Sequence, residues 1–533
     1  PVDPANSAKS EAVQLFVERA RAFQPMFQIN DQTSSAIVQA CRLVDGIPLA
    51  VELAAARVRV LSPMQIADLL QESMHHFPTP TRTAVSRQQT LQASIDWSYT
   101  LLSETEQTLF RRLAVFAGGF ILEDVQSVCS MGIAPAEQRD LNCQVDSLPT
   151  LVDPIPEENM LDLLANLVDK SLVSALPGEL ASYRLLFPIK LYAQAKLDAA
   201  GEDEAIRNRH LCHYLELAQQ ANLLLRSPEQ AIWWVRAEQE LDNFHRALDW
   251  SLHSGALEIG LQLAGELGEF WYRQGHSAEG LEWFNRLLAE EYPEDTIQAR
   301  ALLHAGRLFR ETGDYQQAEA YCQKSLELCQ ELDYQEGVAE ALSIMGVVTH
   351  YGGNRERSLT LLENSLSLYE MLGDDWNLAA TRLHYADVNN RLGNYAIAER
   401  DFSKSLQYFL EIGDKWGTGY AYGGLADVAR FQGDYEKALP LFQEALKMGD
   451  MLDTPFLMEA VSFIYAEYGE PQVAAQLWGF AEAFRENTHS IIPPAYIKDY
   501  AEPLQDIRAA CGQADFKAAW EAGRTLTWEQ AVT

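Results

Sequence analysis

Apolar and polar residues follow the period of an amphipathic helix along most of the chain. Over 11–24, Val13, Phe16, Val17 and Ala20 fall on one face. A second helix is predicted over 34–43; Gly46 and Pro48 punctuate the turn at 45–48, and a helix rich in small residues follows over 49–60. Ser62, Pro63 and Gln65 form a helix-start signal of cap, first-turn proline and capping-box partner. Further helices are predicted over 90–99, 103–116, where Ser103 and Glu106 form another capping box, and 122–129. A proline-bearing loop over 148–156 leads into a helix over 157–170, and two short strands, 171–176 and 182–186, flank Pro177-Gly178. From 202 to 290 the pattern stays helical, with 232–235 and 241–250 reading as an amphipathic hairpin.

Between about 299 and 450 the pattern becomes periodic. Gly313, Gly353, Gly393 and Gly433 recur at a constant interval, each followed by Asp or Asn. Seven residues earlier stands Gly306, Gly346, Ala386 or Ala426; nine later stands Cys322, Leu362, Phe402 or Phe442. Ser325, Ser365, Ser405 and Ala445 make a further column. A glycine followed by an acid or amide can end one helix in the left-handed conformation and cap the next. The small columns mark where two helices cross closely. Each unit of roughly 40 residues is therefore an antiparallel helical hairpin, and such hairpins stack into a solenoid. Gly268, Gly275, Gly280 and Phe284 keep the spacing in degenerate form upstream, as do Ser462, Gly469, Ala474 and Trp478 downstream.

This arrangement resembles the tetratricopeptide repeat in a longer form, without its terminal proline. Asp45-Gly46-Ile47-Pro48-Leu49-Ala50, with Glu52 to Arg57 behind it, resembles the Gly-x-Pro motif of STAND/NB-ARC-type signalling ATPases, most closely the bacterial AfsR-, LuxR- and MalT-like regulators. The resemblance continues through Thr90 to Tyr99, Leu113 to Phe120 and Leu167 to Val173. It implies a mostly α chain: a helical subdomain (1–85) and a winged-helix domain (86–200), then helical hairpins (201–295), tetratricopeptide repeats (296–470) and a C-terminal helical cap (471–533). In that family the motif's proline packs beside adenine, which makes Gly46 and Pro48 candidates for ATP or ADP contact in an intact parent; the alternative is helix punctuation alone. The stretch matching the family's Met-His-Asp motif puts Leu186 and Phe187 where His and Asp would be. A leucine donates no hydrogen bond to a phosphate, which weakens the case for nucleotide sensing there.

No GxxxxGK[ST] sequence is present, so the chain is read as a non-enzyme lacking the phosphate-binding loop, a piece of a longer protein whose nucleotide-binding domain lies elsewhere. The net charge of −35 repels a phosphate backbone, and residues 1–200 account for little of it, with 23 acids against 15 bases. The predicted recognition helix of the winged module carries acids and no arginine, so direct nucleic-acid binding is not expected. Mean hydropathy of −0.18 and the absence of a long uncharged apolar run argue against a membrane span. Seven cysteines with no CxxC fit thiols in a reducing, cytoplasmic setting. His210, Cys212 and His213 lie close together and read as a helix-surface cluster rather than a metal site. Trp233, Trp234 and Trp250 read as core.

The partner-binding candidates sit on the first helix of each hairpin. Three residues before each glycine stand Arg310, His350, Asn390 and Arg430, and the next column adds Tyr351, Arg391 and Phe431. Such a row suits a protein or peptide ligand held by charge-assisted bonds. The alternative is a solvated face paired with acids such as Asp387 and Asp427.

Overall fold

The computed structural model describes residues 10–532 apart from 25, 30, 45, 76–83, 131–152, 177, 179–180, 225–229, 449–452 and 489. Most of the 148–156 loop, Pro177, Asp45, His76 and Cys143 therefore lie outside the described residues. The chain is almost entirely helical and divides into two units, 1–214 with 239–250, and 215–238 with 251–533.

The first unit begins with helices Glu11–Phe23, Asp31–Leu43, Pro48–Ala55 and Pro63–His75 around a core that includes Phe16, Ile37, Val51 and Ile66. Both capping boxes form. Gln65 N donates to Ser62 Oγ and Ser62 N to Gln65 Oε1; Ser103 and Glu106 exchange the same pair of bonds. Gly46 takes φ +64°, and Pro48 opens its helix, exposed at the first turn. The helix predicted over 49–60 is shorter than expected, turning 3₁₀ at Ala56–Arg59. Both predicted strands are present but shorter, as β2 (Ser174–Leu176) and β3 (Ser182–Arg184). They join an unpredicted β1 (Phe120–Ile121) in an antiparallel sheet of order β1-β3-β2.

Residues 239–250 belong to this unit because Asn243 binds it. Its Oδ1 accepts from Ala117 N at 2.7 Å and its Nδ2 donates to Gly119 O at 2.8 Å. His210 and Cys212 are buried and His213 bonds Asp124 at 3.0 Å, so the three do not form a surface cluster.

In the second unit the four regular hairpins pair Thr296–Glu311 with Tyr315–Glu331, Gln335–Tyr351 with Arg355–Leu372, Asp375–Arg391 with Tyr395–Ile412, and Lys415–Phe431 with Tyr435–Lys447. A degenerate hairpin precedes them (Leu257–Arg273, Ser277–Leu287) and another follows (Thr454–Glu467, Pro471–Thr488). The four spaced glycines have φ between +79° and +99°, and the acid or amide after three of them caps the next helix. Asn394 is the exception, donating instead to Asn389 Oδ1. A Cβ at Gly306 would stand 2.5 Å from Cys322 Sγ, and one at Gly346 2.6 Å from Leu362, so at these two positions of the small-residue column the facing helix leaves no room for a side chain. The serine column clamps the first three of these hairpins: Ser325, Ser365 and Ser405 donate to the carbonyls of Ala299, Ala339 and Ala379, and the fourth has Ala445 in their place. The C-terminal helices Ile497–Cys511 and Gln513–Gly523 pack on the last hairpin around Trp478, Tyr500 and Phe516.

Candidate functional site

Helical spacing sets which residues face the interior of the solenoid. On each first helix, positions three, six or seven, and ten before the glycine share a stripe. The column six before the glycine is the most consistent, reading Glu269, Arg307, Val347, Asp387, Asp427 and Phe463 across six successive hairpins. Every one of them lines one of two cavities.

The first cavity, of about 110 Å³, lies along the leading hairpins. Arg300, Arg307 and Arg310 face it with Glu269 and Glu340. Arg310 is buried, bonds Glu311 at 2.6 Å and stacks over Tyr272 and Tyr351. Arg273 bonds Glu269 and lies 4.6 Å over Trp416, while Arg307 also pairs with Glu269. Burial pushes the imidazole of His304 down to about 4 and that of His384 to about 3, so both are neutral at pH 7.

The second cavity, of about 120 Å³, is bounded by the third to sixth of these six hairpins and the start of the C-terminal helix. Four of the sequence candidates line it: Tyr351, Arg391, Arg430 and Phe431. Arg391 and Arg430 share Asp427, at 3.0 and 2.7 Å, and both lie over the ring of Phe431. His350 and Asn390 are instead buried outside this lining. The amide of Asn390 has no hydrogen-bond partner among the described residues.

His350 is engaged by the chain's own C-terminal segment. Tyr496, itself buried, sits 2.7 Å from His350 Nε2 and donates to Asp387 Oδ2 at 2.8 Å. The tyrosine hydroxyl thus lies between the imidazole and the carboxylate, and His350 Nδ1 has no hydrogen-bond partner among the described residues. Burial alone would raise the Asp387 carboxyl; the His350 bond, the Arg391 charge and the Tyr496 hydroxyl outweigh it and hold it well below the usual carboxylate range. Arg391 stacks 4.5 Å over Tyr496, and Arg355 donates to Ala495 O.

Part of the row assigned to a partner thus meets residues 495–499 of the same chain. Sequence reasoning missed Tyr496, Trp416 and Tyr272. Only Tyr272 had a signal, since it stands three residues before Gly275. The described residues contain no group of three or more His, Cys, Asp or Glu able to hold a metal ion, and no helix long and apolar enough to cross a membrane.

Such geometry defines a tetratricopeptide-repeat solenoid with a polar and aromatic interior, joined to a separate, non-repetitive helical unit. A tetratricopeptide-repeat family model matches residues 297–371 and 377–450. The chain is 35% identical over 453 residues to "Putative HTH-type transcriptional regulator Rv0890c" of Mycobacterium tuberculosis and to its Mycobacterium bovis counterpart, covering 83% of this chain and 48% of theirs. It is 37% identical over 211 residues to the uncharacterized protein Rv0894 of Mycobacterium tuberculosis, covering 39% of this chain and 49% of that one. The chain therefore spans about half the length of the curated relatives it matches. Among solved structures, a STAND protein with a tetratricopeptide-repeat sensor from Pyrococcus horikoshii aligns with a TM-score of 0.47 at 14% identity, covering 96% of this chain and 74% of that one.

Proposed function

We propose that this chain is the sensing and regulatory portion of a cytoplasmic signal-transduction regulator. The solenoid interior binds a protein, peptide or small ligand. The first unit, with the winged-helix reading of its sheet and helices, restrains a nucleotide-binding domain carried elsewhere in the longer protein. ATP or ADP then belongs to that domain, with Gly46 and Pro48 as the contacts offered from this side. The observation that carries the reading is the column running from Glu269 to Phe463, which brings one residue from each of six hairpins to a cavity wall. For such a device to switch, its trigger must bind the released arrangement more tightly than the restrained one. Nucleic-acid recognition, where the longer protein has it, is placed outside this chain, because helix Met160–Asp169 carries Asp162 and Asp169 and no arginine.

Sedimentation velocity of the complete regulator with ADP and with a non-hydrolysable ATP analogue tests this. Two distinct assembly states are expected. Identical sedimentation in both would leave a passive interaction scaffold as the better reading.

A further inference from the structure

Resting on the sensing role and naming a partner for it, we propose that residues 490–511 form a strap whose leading end stands in for the solenoid's ligand. That ligand is a peptide with a tyrosine and, three residues on, an acid. The strap crosses the ends of successive hairpins before it enters the interior. Ile491 closes on Gly313, where an added Cβ would stand 2.8 Å from its Cδ1, and Ala495 O accepts from Arg355 at 3.4 Å. Tyr496 then fills its seat, with the hydroxyl between His350 and Asp387 and the ring under Arg391. Asp499 follows, 3.8 Å from Arg391 and 4.0 Å from Arg355. A main-chain carbonyl, a ring and a carboxylate are the features by which a groove reads a peptide.

The repeat leaves its own pattern where the strap docks. Two residues after the spaced glycines stand Tyr315, Tyr395 and Tyr435, each packed against the core, but Arg355 in the hairpin of Gly353. Among the described residues the guanidinium of Arg355 meets only Ala495 O and Asp499, so no acceptor on the hairpins engages it. Its Nε has no hydrogen-bond partner, nor has His350 Nδ1, nor the amide of buried Asn390 one turn beyond Asp387. The strap therefore uses only part of the polar capacity of its seat, and a ligand that uses more binds there in preference.

The strap is lightly held between fixed ends. Helix Ile497–Cys511 buries only Tyr500 and Ile507, whereas Pro471–Thr488 before it buries eight residues. Helix Gln513–Gly523 after it is locked to Pro471–Thr488, because the backbone oxygen of Trp520 leaves no room for a side chain at Gly479, nor that of Gln476 at Gly523. Gly512 joins strap to lock at φ +78° and ψ 152°, a conformation that only glycine adopts readily. Pro493 and Pro494, at the other end, carry no N–H to be left unpaired when the strap lifts. A peptide that takes the Tyr496 seat thus frees the helix behind it without unfolding the stack.

Fluorescence anisotropy of the full chain with a labelled peptide of residues 490–502 tests the seat. Because the strap competes for it, Tyr496→Ala should bind this peptide about tenfold or more tighter than the wild type does. Adding Arg355→Ala should cancel most of that gain, and a peptide with phenylalanine in place of its first tyrosine should bind several-fold more weakly. Amide exchange in Tyr496→Ala should quicken over 497–511 and stay slow over 513–523 and in the hairpins, which also shows the variant to be folded. Equal binding by wild type and Tyr496→Ala, no effect of Arg355→Ala, or joint loss of protection over 497–523 would overturn the proposal. So would a wild-type dimer that Tyr496→Ala abolishes, which would assign the seat to the strap of a second copy. All of these are read without nucleotide, so their failure leaves the sedimentation test of the sensing role standing.

Discussion

In the first unit Arg112 is wholly buried and forms a two-pronged pair with Glu202, 90 residues further along the chain. In the solenoid Ser365 reaches back 26 residues to the carbonyl of Ala339, and the same bond recurs in the hairpins on either side. One unit depends on a few irreplaceable long-range contacts, and the other on small terms repeated in register. Their weak points therefore differ. A single substitution should disable the first unit, while the solenoid should lose stability in increments that add between hairpins.

The largest effect is expected at Glu202→Gln. Glu202 also accepts from Arg111 at 2.8 Å, and Arg112 donates onward to Cys129 O. Removing the carboxylate's charge leaves a buried guanidinium uncompensated, a loss of about 3–5 kcal/mol. Urea unfolding followed by amide exchange should show this loss in residues 84–214 and leave the hairpins protected; uniform loss across both units would break the comparison.

Buried imidazoles come next. The unfolded chain takes up a proton on His304 near pH 6.5, whereas the folded chain does so only near pH 4, because burial disfavours the charge. The unfolded state binds more protons between those values. This contribution is thus fully present above about pH 6.5 and fades as pH falls toward 4, by up to about 1.4 kcal/mol per pH unit. His384 adds a second such term extending lower. Urea midpoints from pH 7.5 to 4.5 should fall more steeply for the wild type than for His304→Gln.

Gly306→Val tests the close crossing. Its Cβ would meet Cys322 Sγ at 2.5 Å and the backbone oxygen of Ala318 at 3.1 Å. Overpacking of this kind costs about 1–3 kcal/mol. Cys322→Ala should recover part of the loss in a double-mutant cycle, and no recovery would mean that the backbone contact dominates.

How much of this was legible follows from the same contrast. Glycine, small-residue and serine columns showed in the sequence because each hairpin meets the same neighbour geometry, so selection for one contact repeats at one interval. Capping boxes at Ser62 and Ser103 were legible because both partners lie within one turn. Asn243, Glu202 and strand β1 were not, since each acts on residues far away in the chain and leaves no local period. The cavity walls were half legible. The column at minus three pointed to the correct helix stripe, yet the occupancy of His350 by Tyr496 depends on a chain reversal 146 residues later.

The smallest effects separate repeated contacts that matter from those that only recur. Ser365→Ala removes a buried hydroxyl bond of 2.7 Å and should cost about 1 kcal/mol, with Ser325→Ala and Ser405→Ala adding nearly independently. Arg357 and Glu319 also pair across neighbouring hairpins, at 2.5 Å, and Lys437 with Glu399 repeats the arrangement, but all four side chains are about half exposed. Solvent screening and the entropy of fixing two long side chains leave such a pair about 0–1 kcal/mol. Arg357→Ala should therefore shift the urea midpoint less than Ser365→Ala does, and raising salt should erase even that shift. A loss at Arg357 equal to that at Ser365 would mean that the outer surface, and not only the hairpin interior, sets the stability of the stack.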